Sequence, residues 1–377
     1  MKQKMLSLLT IAILGLAALG GRTGAGTAAR DTNNGWELGE AIRYENITIF
    51  PVLSSESAPT SEFATLDEAL ASGEATISEQ GSAGLRRTRA GQAVRIPEIE
   101  GGGASVNRLV LVNRGKRPLV LLAGELVSGG KQDRIIAKDR IVAPGEKPLP
   151  LDVFCVEHGR WSAGTEFASA KVMVHPSVRE RAAVDQQQTE VWDAVRAGST
   201  SGARAESVIV EAAPPLSSRS IQSAMAARAP TESYAKLYNS PATGVPIETF
   251  VEEVQKRFER STANLKGQRV VGVVVAYGAE VAWSDSFASA ELFAHYWNKL
   301  LRSYAIEALA RPRSTEQADV QDARDFLRPL QGRETTESQP GVYRWREIQS
   351  GHYAEIRLEA LEPSHLTLHR MMIHRTS

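Results

Sequence analysis

Two polar signatures interrupt the apolar first half of the chain. They are Gly124-Glu125-Leu126-Val127-Ser128-Gly129-Gly130-Lys131-Gln132-Asp133-Arg134 and Cys155-Val156-Glu157-His158-Gly159-Arg160-Trp161. A half-buried strand needs apolar residues at alternate positions, so acids, bases and a tryptophan clustered around glycines call for another reason. Glu125 and Glu157 are the candidate acid–base residues. Arg134 and Arg160 carry the planar fork that matches phosphate or carboxylate. Lys131 and Gln132 follow a Ser-Gly-Gly turn whose backbone amides can cradle an anion, and Trp161 offers a surface for stacking. Together these types suit binding a small anionic ligand and handling a proton or a sugar hydroxyl on it. The plainer reading is equally concrete: a tight hairpin turn, two arginines paired with Glu125 and Glu157, and a tryptophan in the core or at its rim. The turn lacks P-loop spacing, and a strand rather than a helix follows it.

Other chemistry-bearing residues carry less. Cys155 is the only cysteine, so no intrachain disulfide can form. His158 falls on the opposite face of such a strand and cannot serve as its base, and a free cysteine in an apolar alternation behaves as a small hydrophobe. Read as one strand, Cys155 and Glu157 share a face. His365 and His369 would lie about 13 Å apart in a strand, too far to chelate one ion, so no metal site is expected. On a predicted long helix, His295, Lys299, Ser303 and Glu307 recur every fourth residue. They form either a solvated stripe or, if the helix lies against the first sheet, a face directed at the Glu125/Arg134 cluster. Lys299 therefore joins the candidate ligand-binding residues.

These groups need elements to hold them. Short apolar runs separated by Gly, Pro, Asn and Ser (Ile47–Val52, Ala75–Glu79, Val106–Val112, Pro118–Leu126, Arg134–Val142, Leu149–Val156) predict antiparallel strands rather than βαβ units. Pro176 to Val195 reads as a helix anchored by Trp192, and 197–232 as a flexible insertion rich in Ser, Ala, Gly, Arg and Pro. Ile247, Phe250, Val251, Val254 and Phe258 mark an amphipathic helix with Pro246 at its first position. A hairpin follows, with strands Val270–Ala276 and Glu280–Trp283. Ser289 is placed to cap the long helix Ala290–Leu309. Strands near Tyr353–Leu358 and His365–Met372 close the chain. The fold class is α+β, with a β-rich N-terminal half of antiparallel sheets packed with a helical and hairpin C-terminal half.

The chain of 377 residues is 42% hydrophobic and 23% charged, the balance of a globular protein. Its 44 Lys and Arg match its 44 Asp and Glu, which excludes the basic footprint of a nucleic-acid binder. Lys2 and Lys4 precede the apolar Met5–Gly20 and then small residues, the pattern of a secretory signal removed before the mature chain. The apolar run is short for a membrane span and no basic stop-transfer flank follows. The expected organisation is a signal peptide at 1–29, a linker at 30–46 and a single domain at 47–374, placed in the periplasm or outside the cell. No cofactor is implied.

The order of Gly124-Glu125, Gly130-Lys131-Gln132-Asp133-Arg134, Cys155-Val156-Glu157-His158-Gly159-Arg160-Trp161, Trp192, Gly272-Val273-Val274-Val275, Glu291-Leu292-Phe293 and Trp297-Asn298-Lys299-Leu300-Leu301-Arg302-Ser303-Tyr304 resembles one bacterial family. It is the ARG and Rhodanese-Phosphatase-superfamily-associated Protein domain family, in which ARG denotes ADP-ribosylglycohydrolase. The resemblance implies association with enzymes that handle ADP-ribose and phosphorylated compounds, without assigning an activity. The expected function is then binding or hydrolysis of a phosphorylated or nucleotide-like ligand related to ADP-ribose. Its rival is a non-catalytic envelope interaction module with a protein partner. Convergence of Glu125, Glu157, Arg134 and Arg160 on one pocket favours the first, and their separate pairing favours the second.

Overall fold

A computed structural model describes residues 35–79, 85–87, 93–95, 108–158, 166–197, 232–234, 241–362 and 365–375. The insertion at 197–232 lies outside them apart from its two end residues, as does the signal segment.

The N-terminal half closes into an antiparallel barrel. Around it run Glu125–Gly129, Arg134–Ile136, Gly145–Cys155, Arg108–Asn113, Ala75–Glu79 and Glu166–Met173, which returns to Glu125–Gly129. Closure removes the unpaired edges that an open sheet of this size would expose. Inside pack Ile77, Leu109, Leu111, Val127, Ile136, Leu151, Val153 and Phe167, with Leu66 and Ala69 of helix α1 (Leu66–Ser72) in the same cluster. Thr65 and Glu68 form a reciprocal capping box that starts α1, and Gly73, at φ +77°, ends it.

The second body is a nine-stranded antiparallel sheet. Its path runs Glu37–Leu38, Ile47–Ser54, Arg269–Tyr277, Glu280–Phe287, Leu366–His374, Tyr353–Ala360, Tyr343–Ser350 and Arg333–Gln339, with Ile42–Tyr44 also on Ile47–Ser54. Within 37–46, Glu37–Leu38 and Ile42–Tyr44 are short strands paired with the buried strand Ile47–Ser54. The two strands Arg333–Gln339 and Tyr343–Ser350 add to those read from sequence.

Six helices complete the described fold. The expected helix from Pro176 breaks into α2 (Pro176–Glu180), a π-helical turn Arg181–Asp185 and α3 (Gln188–Ala197). The break comes where Gln186 turns left-handed, at φ +54°. Trp192 is half-buried, and Val191 and Ala194 are the α3 residues that enter the core. Helix α4 (Pro241–Thr262) begins five residues before Pro246, whose missing N–H costs only one bond near the helix start. Helix α5 (Ala290–Ala310) starts where Ser289 Oγ accepts the Leu292 amide at 3.0 Å. A short α6 (Val320–Phe326) covers the opposite face of the sheet through Ala323 and Phe326.

Helix α5 fixes the assembly. It lies on the sheet strand Arg269–Tyr277, on the barrel strand Glu166–Met173 and along α4. One core cluster accordingly joins Leu126, Ile135, Phe154 and Met173 from the barrel to Val273, Val275, Ile356 and Met371 from the sheet. No helix among the described residues is long and apolar enough to cross a membrane.

Candidate functional site

The glycines of the first signature fit close approaches. Gly124 sits at φ +88°, and a Cβ there would come within 2.5 Å of Arg179 Cγ. Gly130, at φ +50°, would place one 2.2 Å from the Phe167 ring. The turn between them and Lys131 does cradle anions, and they belong to the protein. Gly129 N–H donates to Asp133 Oδ1 (3.3 Å), Lys131 N–H to Glu79 Oε1 (3.0 Å) and Gly130 N–H to the Glu166 carbonyl (3.0 Å). All three amides of the turn are engaged within the fold. Lys131 and Gln132 are half-buried beside it.

Arg134 faces inward at this end. Its guanidinium is fully buried, Nη1 donates to the Asp133 carbonyl at 3.3 Å, and its backbone pairs opposite Val127 and Cys155. The Cys155 thiol is buried as well. Burial pushes it up, away from the thiolate, even though Arg134 pulls the other way. The Gln188 side-chain amide clamps the backbone here: Cys155 N–H donates to its Oε1 and its Nε2 donates to the Cys155 carbonyl, both at 2.9 Å. The barrel strand stops at Cys155, and Glu157–His158 pairs instead with Glu232–Ser233. Cys155 and Glu157 are therefore not neighbours on one strand face. The Glu157 side chain, Arg160 and Trp161 lie outside the described residues.

Glu125 joins a different cluster. Its Oε2 accepts the Leu122 amide at 2.7 Å and its Oε1 is bonded to Lys299 Nζ. Lys299 also reaches Asp67 Oδ2 of α1 at 2.9 Å and lies 4.5 Å from the Tyr296 ring centre. Two carboxylates thus share one ammonium, and the shifts divide accordingly. Burial raises Glu125 above the usual carboxylate range despite Lys299, and the charge of Asp67 adds to the rise. Burial also works against charge on Asp67, but the Lys299 ammonium and the Ser169 hydroxyl hold it below that range. Burial opposes charge on Lys299 too, and is outweighed by both carboxylates.

Ser303 and Glu307 of the helical stripe are buried rather than solvated. Ser303 Oγ donates to the Val174 carbonyl at 2.8 Å. Glu307 accepts from Ser177 N–H (3.0 Å), Ser177 Oγ (2.7 Å) and Arg311 Nε (2.9 Å). Lys299, Ser303 and Glu307 therefore fasten α5 to the barrel side. His295 stays at the surface, 3.3 Å from Glu68.

A third cluster escaped the sequence reading. Arg179 makes a bidentate pair with Asp285, 2.9 Å at each end, and its Nε donates to the Ala123 carbonyl at 3.2 Å. His369 bridges Asp139 (Nδ1, 2.5 Å) and Asp285 (Nε2, 2.9 Å). Trp283 Nε1 (2.8 Å) and the Tyr304 hydroxyl complete the shell of Asp285. All four charged side chains are fully buried or nearly so. Burial opposes charge on His369, but Asp139 and Asp285 push it up to about 9. Its pKa exceeds the ordinary value near 6.5, so its stabilising contribution is complete below pH ~6.5 and lost as pH rises through about 9. Urea midpoints measured from pH 6 to 10 should fall across that window, and a flat or rising profile would refute the assignment. Only His369, as a strand histidine, was visible beforehand; nothing local marks Asp139, Arg179 or Asp285.

The described parts of the expected site thus fall into separate, internally paired clusters, and no group of three or more His, Cys, Asp or Glu among the described residues is placed to hold a metal ion. A closed barrel and a nine-stranded sheet sharing one buried, charge-fastened helix define an α+β domain. The chain belongs to the ARG and Rhodanese-Phosphatase-superfamily-associated Protein domain family, matched over residues 35–377. No curated protein and no solved structure matches it.

Proposed function

We propose that the chain is an exported binding module, holding a ligand or protein partner without turning it over. One observation carries this reading. The turn offered by the sequence as an anion cradle is filled by Glu79 and Asp133, while Glu125 is paired with Lys299 and its pKa shift comes from burial. A proton-transfer group must reach the proton it moves, and Glu125 is 2% exposed. Export rests on Lys2, Lys4 and the apolar Met5–Gly20, and puts the mature start between Gly20 and Asp31.

A second reading keeps a phosphorylated or nucleotide-like ligand such as ADP-ribose. The family's named association supports it, together with the Gln188 clamp, which fixes the backbone just before Glu157, Arg160 and Trp161. One experiment separates the two. The protein recovered from outside the cytoplasm, its start read by intact mass, is incubated with ADP-ribose and a panel of phosphorylated compounds. A binding module gives no product and no rise in melting temperature with that panel. A rise that Arg160→Ala abolishes, with the unliganded variant still folded, establishes the second reading. Product formation overturns the first, and a full-length cytosolic product overturns export.

A further inference from the structure

The nine-stranded sheet ends on two unlike edges. On one side the outermost strand is Glu37–Leu38, two residues long. On the other it is Arg333–Gln339, seven residues paired without a break in register to Tyr343–Ser350 on its inner side. An edge of that length presents a row of backbone N–H and C=O groups, which proteins blunt with proline, a bulge, a covering segment or charge. Arg333–Gln339 contains no proline and no bulge, and six of its seven residues are exposed.

Charge is the remaining device, and here most of it is turned inward. Glu334 takes two nitrogens of Arg346 on the neighbouring strand, 2.9 Å at each end. Glu337 is held by Lys138, which lies over the Trp345 ring on the barrel side of the sheet. Arg333 is the exception, exposed at the start of the strand and without an ion pair among the described residues. Because side chains alternate, Arg333, Thr335 and Glu337 share the barrel-side face.

A second copy of the same strand matches this pattern. A two-fold axis perpendicular to the sheet keeps every side chain on its own face, so one residue must meet its own counterpart. An axis through Glu334 or Glu337 opposes like charges. One through Thr336 sets Arg333 opposite Gln339. One through Thr335 sets each Arg333 opposite the partner's Glu337, with the two threonines facing each other between them. Opposite charges and paired threonines both stabilise antiparallel neighbours.

We propose that two copies of this chain join through Arg333–Gln339, antiparallel about an axis through Thr335, into one continuous sheet. The proposal goes beyond the binding-module reading, which gives this edge no role.

The test is sedimentation velocity on the mature protein and on two charge-reversed variants, Arg333→Glu and Glu337→Lys. The parent should pass from monomer to dimer as its concentration rises. Each variant alone sets two like-charged pairs across the axis and should weaken dimerisation by about tenfold or more. Both side chains are exposed, so the melting temperature of each monomer should stay within about 2 °C of the parent's. An equimolar mixture of the two variants restores opposite charges at both pairs, and its heterodimer should form as readily as the parent dimer. The proposal is overturned if the parent stays monomeric up to about 1 mM, if both variants dimerise as the parent does, or if the mixture associates no better than either variant alone.

Discussion

Replacing Arg179 with methionine should lower folding stability by about 3–5 kcal/mol, the range for breaking a buried ion pair by removing one partner. Asp285 would keep Trp283, Tyr304 and His369 but lose both guanidinium bonds in a site without water access. The cluster would pass from two acids facing two bases to two acids facing one. Urea denaturation of the variant measures the loss, and a change below about 1 kcal/mol would mean that the pair contributes little beyond its own desolvation.

Lys299→Met should be nearly as damaging, and conditionally so. It leaves Glu125 and Asp67 without the ammonium they share, one of them fully buried, at an expected cost of about 3 kcal/mol at neutral pH. Burial already raises Glu125, and the loss of Lys299 raises it further. A carboxyl whose folded pKa is raised destabilises more as pH climbs through that value, so the defect should shrink on acidification toward pH 5. The double variant Lys299→Met/Glu125→Gln should recover most of the loss, because no uncompensated charge then remains buried at Glu125. If the double variant is as unstable as the single, the ammonium acts through packing and not through charge.

The elements were largely legible, because helix caps and apolar periodicity are local. Ser289 before the Phe293, Tyr296, Leu300 and Tyr304 face lies where a cap signal places it, and the expected hairpin forms as Arg269–Tyr277 and Glu280–Phe287 around a turn at Gly278 and Ala279. The edge strand Arg333–Gln339 was not, since its side chains are almost all exposed and polar and it is held by pairing to its neighbour. The polar signatures were recognisable as abnormal for strands, but their cause was out of reach. Glu125 meets its lysine 174 residues later, and Arg179 meets its aspartate 106 residues later. No spacing rule spans such separations. Even the glycines had the right cause attached to the wrong object, since the close approaches come from Arg179 and Phe167.

The place of Leu366–His374 in the sheet sets the timing of folding. This strand follows every other strand in sequence, yet it lies between Glu280–Phe287 and Tyr353–Ala360 and delivers His369 to the two aspartates. Until it arrives, Glu280–Phe287 has an open edge and Asp285 has no imidazole. Because these contacts join residues far apart in sequence, loop closure must come before they stabilise anything. A chain emerging from its N-terminus can close the barrel early, but it cannot close the large sheet until that strand is free. Arg269–Tyr277 has its other neighbour, Ile47–Ser54, already in hand, so the outer edge of Glu280–Phe287 is the edge left open to pairing with other chains until then.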